Sequence, residues 1–88
     1  MLFMVIEHFK NSDPKPIGDR FRLHGRMLPE GVTYQASWID GRNARCFQVM
    51  EAPDRDSLQP WIAAWKDLVE FEVVPVQASA DFWASVQS

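Results

Sequence analysis

Residues 32–51, VTYQASWIDGRNARCFQVME, read as two strands and a turn, and the fold is worked outward from them. Val32, Tyr34, Ala36 and Trp38 alternate with Thr33, Gln35 and Ser37. This is the period of a β-strand, whose successive side chains point to opposite faces. Gly41, Arg42 and Asn43 form a short turn, and Ala44 to Glu51 runs back as the partner strand, which predicts a β-hairpin. On the return strand Cys46, Gln48 and Met50 share one face, and Phe47 and Val49 share the other.

On either side of the hairpin the period changes to that of a helix. Upstream, Ile17, Phe21, His24 and Leu28 recur at helical spacing. Asp13 is the expected N-cap, Pro14 the first helical residue, and Pro29 with Gly31 the stop. Downstream, Leu58, Trp61, Ile62, Trp65 and Leu68 make an amphipathic stripe. Asp56 with Gln59 resembles a capping box, and Pro60 favours a late start or a kink because it lacks an N–H. Farther out lie two more strands. Leu2 to Phe9 (LFMVIEHF) is apolar on both faces and therefore central. Val69 to Val76 (VEFEVVPV) holds Pro75, which suits an edge strand or a position near the strand's own end. Ser79 to Val86 forms a short terminal helix carrying Phe82 and Trp83.

The order is thus strand, helix, strand, strand, helix, strand. Right-handed crossovers put both helices on one face of the sheet, and strand order 4-1-3-2 makes every neighbour antiparallel. The fold class is α+β, ferredoxin-like βαββαβ, with residues 1–88 as a single domain. Two helices cover one face only, yet apolar side chains occupy both. The bare face is expected to pair with a second copy, giving a homodimer with its sheets face to face, a dimeric α+β barrel.

Composition narrows the function classes. A net charge of −3 argues against nucleic acid, which needs clustered Lys and Arg. Lys15, Arg20, Arg22 and Arg26 read as the solvated face of the first helix. The lone Cys46 can form no internal disulfide, so no oxidising compartment is required. Met1 to Ile6 lacks the basic start of a signal peptide, and no apolar run approaches the ~20 residues of a membrane span. A cytoplasmic protein with no membrane partner is expected.

Several side chains could carry chemistry. His8, near the end of the first strand, could act as a base or orient a ligand. It could equally be an ordinary strand residue, and Glu7 beside it points to the opposite face. Tyr34, Trp38, Gln48 and Met50 on the hairpin could line an aromatic, apolar pocket with a few polar handles, suited to a small organic ligand. Their plain alternative is core, with Trp38 packed under the helices beside Trp61 and Trp65. His24 reads as packed beneath its helix, Cys46 as an inert buried thiol, and Glu70 and Glu72 as solvated charges that protect an edge strand. No HxH, HxxxH or HExxH spacing exists, so no metal is expected, and no Gly-rich phosphate loop, GxSxG elbow or CxxC pair implies a cofactor.

The runs PEGVTYQASWID (29–40), ARCFQVMEAPD (44–54) and WIAAWKDLVEFEVVPV (61–76), with the opening LFMVIEHF, resemble DUF3303, a small bacterial family of unknown function. That family looks like a member of the dimeric α+β barrel superfamily, which includes cofactor-independent monooxygenases, haem-degrading enzymes and muconolactone isomerase. The resemblance implies the fold and the dimer and carries over no catalytic residue. Three readings stand: a dimer binding a small apolar or aromatic molecule in its cleft, a non-catalytic dimerisation module with a filled barrel, and a monooxygenase- or isomerase-like enzyme.

Overall fold

The computed structural model describes residues 1–87, the side chain of Gln87 excepted. Its main elements are β1 (Leu2–Phe9), α1 (Lys15–His24), β2 (Thr33–Asp40), β3 (Arg45–Glu51), α2 (Gln59–Trp65), β4 (Val69–Val76) and α3 (Ser79–Gln87). The strands form one antiparallel sheet in the order β2-β3-β1-β4, the expected order. The chain is an α+β, ferredoxin-like domain.

Register assigns the faces. Phe3 lies opposite Met50, Val5 opposite Gln48 and Glu7 opposite Cys46, all towards the helices. Met4 opposite Val49, Ile6 opposite Phe47 and His8 opposite Arg45 fall on the open face. The core therefore sits between the sheet and α2: Phe3, Val5, Met50 and Leu58 have no exposed surface, and Trp61 has 1%. Burying each such aliphatic or Phe side chain is worth ~1.5–3 kcal/mol. Trp61 meets Phe71 of β4 edge-on at 5.2 Å, a favoured aromatic geometry.

β2 departs from the simple alternation. Tyr34 pairs with Met50 but Ala36 pairs with Val49, so Gln35 is an extra residue, a β-bulge. Tyr34 therefore faces the helices while Ala36 and Trp38 face away. The expectation that Tyr34 and Trp38 share a face fails for this reason. So does the reading of Trp38 as core, since it is 58% exposed.

The helix ends also differ in detail. α1 begins at Lys15, whose N–H donates to Asp13 Oδ1 at 3.0 Å. It stops at His24, well before Pro29, because Gly25 takes a φ of 66° and a ψ of −157°. No residue of α1 is fully buried and His24 is exposed, which corrects its placement beneath the helix. The capping box at Asp56 is not formed. Asp56–Leu58 is a turn of 3-10 helix, and Asp54 Oδ1 accepts from the Ser57 N–H (2.8 Å) and hydroxyl (2.7 Å) instead. α2 starts late, with Pro60 in its first turn where the missing N–H costs nothing.

One strap joins the helices. Arg20 of α1 donates through both Nη atoms to the Asp67 carboxylate at 2.7 Å, and through Nη1 to the Ala64 carbonyl at 3.0 Å. The guanidinium holds the Asp67 carboxyl at about 2, below the usual carboxylate range.

Candidate functional site

The helices do not close over the whole sheet. Where β1 ends in Glu7 and Phe9 and the short α1 stands off, a cavity of about 240 Å³ remains between the helices and the helix-facing side of β1, β2 and β3. Its walls are chiefly apolar, with Phe9, Ile17, Phe21, Ile39, Trp61 and Trp65 among them. Gly18 of α1 lines it as well, and a Cβ placed there would meet nothing within 4 Å. Glu7, Arg26, Ser37, Cys46 and Gln48 bring polar groups to the same space.

Glu7 occupies the helix-facing phase of β1, next in alternation after Phe3 and Val5, so its carboxyl enters an apolar setting. Burial raises its pKa, opposed by a hydrogen bond from the Cys46 thiol and by the positive charge of Arg26. Cys46 is pushed up to about 12 by burial and then by the neighbouring carboxylate. Such a thiol is no nucleophile near neutral pH. The Glu7 carboxyl is the group suited to proton exchange or to donating a hydrogen bond.

Arg26 is set by backbone geometry. It lies between Gly25 and Met27, both with φ near 60° (66° and 59°), and its carbonyl accepts from Trp65 Nε1 at 3.0 Å. Its guanidinium lies over the Tyr34 ring at 3.6 Å and near the Phe21 ring at 5.1 Å. Gln48 is 5% exposed, and its side chain donates from Nε2 to the Met50 sulfur at 3.3 Å, a weak acceptor.

The residues singled out from the sequence divide between the two faces. Gln48 lines the cavity, Met50 lies beneath it in the core, and Tyr34 forms a platform under Arg26 while sharing a hydrogen bond with Ser37 at 2.8 Å. His8 and Trp38 are on the open face, apart from this cavity. His8 lies 3.8 Å from Glu72 and borders a polar hollow with Lys10, Asn11 and Glu70. Glu70 and Glu72 are exposed on that face of the edge strand. Sequence reasoning missed Glu7 and Arg26. The signal for Glu7 was present, as a charge continuing the most apolar alternation in the chain. Arg26 had none, because its position depends on where α1 stops.

Among the described residues no group of His, Cys, Asp and Glu side chains converges to hold a metal ion, and no helix is long and apolar enough to cross a membrane. No curated protein and no solved structure matches the chain. Residues 1–88 match, over their whole length, a family described as "Domain of unknown function (DUF3303)". The chain belongs to the DUF3303 family.

Proposed function

We propose that this protein binds a compact, largely apolar or aromatic molecule in the cleft between its sheet and helices, and does so as a cytoplasmic homodimer. The cleft itself carries the reading. It is an apolar-walled cavity of about 240 Å³ into which Glu7, Arg26 and Gln48 bring polar groups, the pattern of small-molecule sites. An apolar cavity of ~150 Å³ already accepts benzene, so this volume suits a molecule of one or two rings.

The dimer rests on the opposite face. Met4, Ile6, Phe47 and Val49 form an apolar band there, continued by exposed Trp38, Val74 and Val76. On that face Arg45 is paired with Asp40 at 2.8 Å, and the exposed carboxylates Glu70 and Glu72 lie along the edge strand β4. A second copy would cover that apolar band, which favours self-association. The ligand site and the contact between copies use different faces and do not compete.

The test is tryptophan fluorescence with a panel of one- and two-ring compounds, read in the wild type and in Gly18→Leu. The leucine would fill the open space beside Gly18 and also favour the helix. At least one compound should change the emission of Trp61 and Trp65 in the wild type and fail to do so in the folded variant. A panel with no binder, or binding untouched by Gly18→Leu, would remove the proposal.

A further inference from the structure

Arg26 is the uncommitted charge of the cleft. Among the described residues no hydrogen bond or ion pair engages its guanidinium; the arginines in ion pairs are Arg20, Arg22 and Arg45. The guanidinium carbon sits 3.6 Å from the Tyr34 ring centroid, and with no hydrogen bond spent on its N–H groups they remain for a carboxylate, which a guanidinium meets in two parallel hydrogen bonds. Glu7 is near enough for its charge to feel Arg26, yet the two form no ion pair. The cleft thus has a fixed cation, a separate carboxyl and aromatic walls.

Building on the small-molecule reading of this cleft, we infer that its ligand is a compact aromatic monocarboxylic acid, its carboxylate held by Arg26, its ring against Phe21, Trp61 and Trp65, and its binding coupled to uptake of a proton by Glu7. The coupling follows from charge. A ligand carboxylate entering beside an ionised Glu7 would meet a like charge in a poorly solvated space. A protonated Glu7 instead offers an O–H to the ligand oxygen. No bond to carbon changes, and the proton comes from solvent. The titratable groups that line the cleft are Glu7 from β1, Cys46 from β3 and Arg26 from the α1–β2 connection; α1 and α2 present Ile17, Phe21, Trp61 and Trp65, which do not titrate. Burial has already moved Glu7 towards its neutral form, and the Cys46 thiol stays protonated.

Calorimetry with benzoate and its neutral counterpart benzamide tests this, each run in two buffers of different ionisation enthalpy. The wild type should bind benzoate at least tenfold more tightly than benzamide and take up protons with benzoate only. Arg26→Gln should lose the preference while still binding benzamide. Glu7→Gln should bind benzoate with no proton uptake, a change that a purely structural role would not produce. Equal or weaker binding of benzoate in the wild type, a preference that survives Arg26→Gln, or benzoate binding without proton uptake in the wild type would overturn the inference and leave the cleft reading intact. Failure of both probes, with the broader panel also silent, would overturn the two together.

Discussion

Glu7 and Gly25 carry costs that other residues offset. Because burial raises the folded pKa of Glu7 above its unfolded value, between the two values the native state holds a proton there that the unfolded chain gives up. The associated stability is complete below the unfolded value and fades as pH rises through the folded one. Glu7→Gln is therefore expected to raise the melting temperature at alkaline pH and to flatten its dependence on pH. A lower melting temperature for the variant at that pH would mean that the ionised carboxylate is held by favourable contacts. Gly25 adopts a conformation open essentially to glycine alone. Gly25→Ala should cost ~1–3 kcal/mol in denaturant unfolding, even though the added methyl would touch nothing within 4 Å. It should also weaken benzoate binding, since the same backbone turn positions Arg26.

At the scale of elements, α2 does most of the packing and α1 does little. Trp61 is 1% exposed and sits on the sheet against Phe71. Trp61→Ala should cost ~3–5 kcal/mol, read from urea unfolding, the usual cost of emptying a large aromatic site. The strand order, the edge position of β4 and the late start of α2 were legible in the chain, because alternation, Pro75 and Pro60 each have one local physical meaning. Other features were not. The bulge at Gln35 leaves no local mark, since Val32, Tyr34, Ala36 and Trp38 alternate without a break and only pairing with β3 reveals the extra residue. α1 looked longer because Leu28 continues its spacing, yet Gly25 ends it and swings Arg26 into the cleft. Of the residues proposed from sequence for a ligand site, Gln48 lines the cavity, while the parity error at Tyr34 misdirected Trp38.

For the whole molecule, the two faces of the sheet have different occupations. Helices and the cleft take one; the other shows its apolar band to the surroundings. Trp38→Asp would put a charge at the β2 margin of that band, opposite Phe47. It is expected to turn a dimer into a monomer in native mass spectrometry with the cleft still able to bind. A wild type that runs as a monomer would remove the dimer proposal. α3 adds a further apolar surface, with Phe82, Trp83 and Val86 at 43%, 57% and 58% exposure. The bulge gives β2 one residue more than its partner needs, and this has a genetic consequence. Losing the codon for Gln35 would leave Tyr34 beside Met50 and Ala36 beside Val49, each side chain on its present side of the sheet. Losing one codon between Ser37 and Asp40 would force part of the hairpin to turn over or the turn to be rebuilt. The strand therefore has one point of slack, and deletion scanning should find the gene tolerant there and intolerant on the turn side of it.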